Sequence, residues 1–191
     1  LLMKGATVAN AKEFVKRYIK DMVDEKIPHE KLIISKSLNG FYKNPEAIAH
    51  KVLADRIGKR DPGSKPSVGS RVPFIYIQTK GVVKLQGDRI ESPSFIKKNN
   101  LKPDYAFYIT NQIMKPVTQI FSLLLNAIKK NFEKKLEGIK MKYRGDIDKI
   151  ESKTQVLKDK MVKQLIFDDA LRICNNTKNN QPTISSFFKL K

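Results

Sequence analysis

Arg60-Asp61-Pro62-Gly63-Ser64 and, shortly after it, Val68-Gly69-Ser70-Arg71-Val72-Pro73-Phe74 decide how this chain is read. The first block is a helix stop, because Gly58, Pro62 and Gly63 crowd a stretch that cannot continue a regular helix. Residues 62–69 then read as a loop. Arg71 to Ile77 reads as a strand, with Pro73 near its start, where a missing N–H is tolerated. Gly63 to Gly69 is glycine-rich, but its spacing is not that of a phosphate loop and no Lys-Ser/Thr pair follows Gly69.

Upstream of the stop, Ile48, Ala49, Val52, Leu53 and Ile57 recur at helical spacing and predict an apolar stripe. Asn44 suits its N-cap, Pro45 its first position and Glu46 the positive end of its dipole. Lys51, Arg56, Lys59 and Arg60 fall on or near the opposite side. Further upstream, Lys31 to Lys36 predicts a short strand. Val8 to Lys26 predicts a helix with Phe14, Val15, Tyr18, Ile19 and Met22 on one face, stopped by Pro28. Downstream, residues 82–85 suit a partner strand, and residues 92–103 a short helix or an irregular link. From Asp104 the pattern is helical: a largely buried stretch from Tyr105 to Leu124, bent or divided at Pro116, then a long basic helix over residues 126–177 with a break near Gly145. The order is helices with a few short strands, without the strand–helix alternation of a doubly wound enzyme. The expected fold class is therefore α+β, mainly helical.

The chain carries 38 Lys+Arg against 19 Asp+Glu, a net charge of +19. Solubility needs far less, and self-repulsion opposes folding, so the excess points to a polyanionic partner. An anionic membrane surface is the weaker candidate, since no apolar run approaches the roughly 18 residues of a spanning helix. Residues 1–5 lack the apolar run of a signal peptide, and a chain that does not open on Met reads as part of a longer one. Cys174 is the one cysteine and sits in an apolar helical pattern, which excludes an internal disulfide and reads as packing. His29 and His50 stand far apart. Asp168 and Asp169 are neighbours that diverge by about 100° on a helix and cannot share a metal easily. Asp146 and Asp148 lie in a charge-mixed segment, and Asp88, Arg89 and Glu91 suit loop ion pairs. No catalytic residue and no metal site is expected in this chain.

Several segments, in order, resemble the late-palm and thumb region of family B DNA polymerases. Residues 32–38 resemble the strand leading into the thumb, and residues 48–56 its alanine-rich helix. The two opening blocks resemble the Arg-Asp-Pro-Gly and Gly-Asp-Arg-Val-Pro-Tyr signature. Asp104-Tyr105, Phe107-Tyr108 and Gln112-Ile113-Met114-Lys115-Pro116-Val117 resemble a helix of the same family. The match covers residues 30–125. Ser70 stands where the family commonly has Asp, and Phe74 where it has Tyr. The family's metal-binding aspartate signatures are absent, so the resemblance puts Mg2+ in a catalytic core upstream. The cysteine-rich modules that end delta-type enzymes are also missing. Together with Gly87-Asp88-Arg89-Ile90-Glu91, that makes the chain look like the polymerase of a large DNA virus, acting in the nucleus or at a cytoplasmic viral replication site. The resemblance implies residues 1–38 as the end of the palm, 39–125 as the thumb, 126–177 as a basic helical extension and 178–191 as a tail. It implies a grip on primer–template duplex, mostly through phosphates and the minor groove and indifferent to sequence, with Lys36, Lys51, Arg56, Lys59, Arg60, Arg71 and Arg89 as candidate phosphate contacts.

The tail carries Gln181-Pro182-Thr183-Ile184-Ser185-Ser186-Phe187-Phe188, which resembles the peptide that binds a PCNA-like sliding clamp. In one helical turn Ile184, Phe187 and Phe188 share a face, and Gln181 can hydrogen-bond at its edge. A rival reading is a non-enzymatic basic DNA-binding or scaffold protein with a clamp-interacting tail. It fits the charge and the tail but not the ordered motif blocks. A basic coiled coil over residues 126–177 ranks last, for want of clean heptads.

Overall fold

In the computed structural model, residues 7–79, 81, 85–124 and 132–178 are described. They form α1 (Val8–Val23), β1 (Ile34–Ser37), α2 (Ala49–Arg60), β2 (Arg71–Tyr76), β3 (Ile90–Glu91), α3 (Pro93–Asn99), α4 (Tyr105–Phe107), α5 (Met114–Leu123), α6 (Phe132–Lys142), α7 (Ile147–Ile166) and α8 (Asp168–Lys178), with short 3-10 turns between them. The mainly helical α+β expectation holds. Contacts divide the chain into two compact units, one of residues 27–108 and one of residues 1–26 with 109–191. These cuts fall at other points than the segment ends read from sequence at 38, 125 and 177.

The unit of residues 27–108 is built on a sheet in the order β1-β2-β3, antiparallel throughout. Ile34 lies opposite Phe74 and Ser37 opposite Arg71, while β3 joins only at Ile75 and Tyr76. Pro73 therefore sits where one side of the central strand has no partner, which is where proline is tolerated. Side chains alternate along β2. Val72 and Phe74 are buried in a core with Leu38, Leu53, Ala54 and Ile90, Arg71 and Pro73 are exposed, and Ile75 is buried. Leu53, Val72 and Ile90 are fully buried, each worth about 1.5–3 kcal/mol of transfer from water.

Several element ends differ from the sequence expectation. β1 starts at Ile34 because His29–Leu32 form a 3-10 turn. α2 starts at Ala49, not Pro45. Pro45–Ala47 is an isolated 3-10 turn, Asn44 makes no side-chain cap bond, and β-branched Ile48 is extended (φ −95°, ψ 100°) between turn and helix. α3 has clear local causes: Ser92 accepts from the Phe95 N–H, Pro93 opens the helix, and Asn100 closes it in the left-handed region (φ 52°). Of the strand expected over 82–85, residues 82–84 lie outside the described residues.

The other unit is helical. α7 packs on α1, α5, α6 and α8, and α1 also packs on α8. α1 ends at Val23 rather than Lys26. Glu25 turns left-handed (φ 56°), and the Lys26 N–H reaches back to the Asp21 carbonyl, which closes the helix. Immediately before Pro116, residues Tyr108–Ile113 widen into a π-helical turn. A proline lacks the N–H and crowds the carbonyl four residues back, and a wider turn accommodates both. The long basic helix expected over 126–177 breaks at Tyr143–Asp146, where Gly145 has φ 91°, as the glycine suggested, and is divided a second time, unexpectedly, at Phe167. Phe167 is fully buried with Met161, Val162, Ile166 and Ala170. Burying these side chains against neighbouring helices outweighs continuing one solvated rod.

Candidate nucleic-acid interface

All seven cations read from sequence lie in the unit of residues 27–108. Four of them, Lys51, Arg56, Lys59 and Arg60, come from α2, and a turn stops that helix. The helix stop works through Asp61: its carboxylate accepts from the Gly63 N–H at 3.1 Å and from the Ser64 hydroxyl. The Ser64 and Gly63 hydrogen bonds, in that order, hold the Asp61 carboxyl below its ordinary range.

Arg56 and Arg60 stand one helical turn apart on α2 and converge on Glu91 of β3. Glu91 is only 4% exposed. Arg60 meets it with two nitrogens, at 2.6 and 3.2 Å, and lies 3.7 Å over the Phe95 ring. Arg56 donates to the Gly87 and Ile90 carbonyls at 2.8 and 2.7 Å, and its Nε sits 3.1 Å from Glu91, close enough for an ion pair though not aligned for a hydrogen bond. Asp88 is 3.9 Å from Arg56. Glu91 also accepts from the Ser92 N–H at 3.0 Å. Glu91 thus belongs to a buried strand end, not to the loop expected from sequence, and its partners are 31 and 35 residues away.

The remaining cations divide the same way. Lys51 pairs with Asp55 one turn on, and Lys65 approaches Asp55 at 3.7 Å. Arg89 reaches Asp104 at 3.1 Å and lies 5.0 Å from the Phe107 ring centre. Arg71 donates to the Ser35 carbonyl at 2.9 Å and meets no carboxylate among the described residues. Lys36 and Lys59 are exposed and make no ion pair with a described residue. Lys36, Lys59 and Arg71 therefore keep their charge unneutralised, while Lys51, Arg56, Arg60 and Arg89 are matched within the protein.

A tyrosine–phenylalanine buttress holds β2 from the other end. The Tyr108 hydroxyl donates to the Leu32 carbonyl at 2.7 Å and accepts from the Tyr76 N–H at 3.0 Å. Burial pushes its phenol up to about 12. Tyr105 donates to the Ile27 carbonyl at 2.8 Å, and the Tyr76 ring stacks on Phe107 at 3.8 Å. The sequence placed Tyr105, Phe107 and Tyr108 in a buried helix and Tyr76 in a strand, without assigning them this role.

Asp168 and Asp169 are exposed at the start of α8, with Asp169 3.6 Å from Arg172, and Asp146 caps α7 through the Lys149 N–H. Among the described residues no three His, Cys, Asp or Glu side chains gather as a metal site would need, and no helix is long and apolar enough to cross a membrane. The clamp-peptide residues Gln181, Ile184, Phe187 and Phe188 lie outside the described residues.

The comparisons with known proteins agree on one family. A DNA polymerase of Pyramimonas orientalis virus is 41% identical over 197 residues, covering 100% of this chain and 16% of that protein. A DNA polymerase of Acanthamoeba polyphaga mimivirus is 40% identical over 75% of this chain and 9% of its own length. The DNA polymerase delta catalytic subunit of Caenorhabditis elegans is 40% identical over 61% of this chain and 11% of its own length. The chain thus spans a small part of each relative. The family model described as DNA polymerase family B matches residues 2–124, two opening blocks and aromatic buttress included, and the chain belongs to that family.

Proposed function

We propose that this chain is the thumb and C-terminal part of a DNA-directed DNA polymerase, and that it grips primer–template duplex through phosphates. The observation that carries the reading is the charge, +19 over 191 residues, on a chain of this family. Backbone contact is indifferent to base order, as copying any template requires. Lys36, Lys59 and Arg71 are the first candidates, because an arginine already matched by a carboxylate adds little net attraction. Lys51, Arg56, Arg60 and Arg89 are paired with Asp55, Glu91 and Asp104 and hold the fold instead. Catalysis and its Mg2+ belong to residues outside this chain. The tail tethers the enzyme to a PCNA-like clamp, raising its local concentration on DNA without a stronger grip. Its workplace is the nucleus or a viral replication site.

Filter binding over a salt series, with duplexes of unrelated sequence, tests the grip. Affinity should fall steeply with salt and alike for every sequence. Lys36→Ala and Lys59→Ala should each reduce the salt slope by about one, and Lys51→Ala should not. A flat salt response rejects the reading.

A further inference from the structure

α7 and α8 are joined through Phe167 alone and pack on each other. Beside that junction lies an open groove of about 500 Å3, within the roughly 300–1,000 Å3 of sites that take a small ligand. Val156 of α7 and Leu171 of α8 supply its apolar lining. Val156 is 61% exposed, while the same helix buries Met161, Val162 and Ile166 on its other side.

The rim of this groove is electrically balanced. Asp159 and Asp168 stand against Lys160 and Lys163, in a chain of net charge +19. A nucleic-acid surface concentrates cations, and this groove does not. Two apolar side chains are also too few for a stable contact with a separate protein, which buries roughly 800 Å2 on each side. An occupant already tied to the groove needs far less.

The chain's own tail is such an occupant. Residues 179–191 follow α8 directly and lie outside the described residues. From Leu171 to the end of α8 at Lys178 the helix rises about 10 Å. The stretch from Lys178 to Ile184 spans up to about 20 Å when extended, so Ile184, Phe187 and Phe188 can return to the groove. Adjacent phenylalanines left in water are a liability that such a return removes. Residues 179–191 contain no Asp or Glu, and Lys189 and Lys191 complement Asp159 and Asp168, which make no ion pair with a described residue. A tether this short gives an effective concentration on the order of 1 mM, so a groove that bound the free peptide at only about 0.2 mM would hold its own tail about five-sixths of the time.

Resting on the clamp reading proposed above, we infer that the tail motif docks in the α7–α8 groove when no clamp holds it, with Phe187 and Phe188 against Val156 and Leu171. The same side chains cannot fill both sites, so groove and clamp compete for the tail. In the intact polymerase, Val156→Ser should therefore raise the apparent affinity for an immobilised sliding-clamp ring about fivefold, because the fraction of tail free to bind rises. A benzoylphenylalanine placed at 187 should crosslink, under light and without clamp, to α7 or α8 of its own chain, and saturating clamp should suppress that product. Unchanged or weaker capture of Val156→Ser, or crosslinks that miss α7 and α8 or form only between copies, overturns the inference and leaves the clamp reading standing. A wild-type protein that no ring captures overturns the clamp reading and the inference with it.

Discussion

Arg60 and Glu91 form a two-point ion pair, at 2.6 and 3.2 Å, that joins the end of α2 to β3 across 31 residues of sequence. Arg56 adds its own guanidinium to the same carboxylate at 3.1 Å. Replacing Glu91 by Gln would leave two guanidinium groups facing one neutral amide. Removing one member of a buried pair costs about 3–5 kcal/mol, and the partial exposure of both arginines puts this case near the lower end. Urea denaturation of Glu91→Gln should show that loss, and duplex binding per folded molecule should change little.

Gly87 packs against α2 so closely that a side-chain carbon there would stand 2.7 Å from Val52 Cβ. Gly87→Ala should therefore destabilise by about 1–3 kcal/mol through overpacking. Adding Val52→Ala keeps the Cβ at 2.7 Å but removes the two methyls at 2.8 and 3.1 Å, so it should recover only part of that loss, and a double-mutant cycle on urea midpoints measures the coupling.

Tyr108→Phe removes one hydroxyl that serves both the Leu32 carbonyl and the Tyr76 N–H, and should cost about 1–3 kcal/mol. The same phenol gives a pH signature. The folded state keeps its proton up to about 12, while the unfolded state releases it near 10. Folded protein then binds more protons in that window, so stability falls as pH rises from 10 towards 12. The gap in stability between wild type and Tyr108→Phe should narrow over this range. Burial raises the Tyr76 phenol too, so the variant keeps some alkaline sensitivity.

His50 titrates in the opposite sense. Desolvation, aided by the charge of Lys36, holds its imidazole below the ordinary 6.5, against a hydrogen bond with Ser37 that raises it. The unfolded state takes up the proton first, so stability is lost as pH falls below 6.5 towards the folded value. Urea midpoints at pH 7.5 and 5.5 should differ in wild type and differ less in His50→Gln. The lowered carboxyls of Asp61 and Asp146 titrate below this window.

Phe187→Ala combined with Phe188→Ala should abolish capture of the protein on an immobilised PCNA-like ring and leave binding to linear duplex unchanged. Apolar residues at the centre of such a peptide carry most of its docking energy. Retained capture rejects the clamp role of Gln181, Ile184, Phe187 and Phe188.

Short-range signals were legible in the chain itself. Gly145 breaks the basic helical region and Asp61-Pro62-Gly63 stops α2, because each acts through backbone geometry or hydrogen bonds within a few residues. The alternation of β2 and the excess of lysine were equally plain. Ile48 and Glu25 escaped such reading: one is extended where a helix seemed capped, and the other is left-handed without being glycine.

The sequence alone determined that this is a basic, mainly helical member of its family with a terminal apolar motif, since composition, periodicity and ordered blocks are properties of the string. Only the tertiary structure decided which cations keep their charge. Arg56 and Lys59 look alike in sequence, but one is tied to the strand end that carries Glu91 and the other stands in water. Electrostatic attraction depends on distance and on what else is near, and folding brings Glu91 within reach of one and not the other.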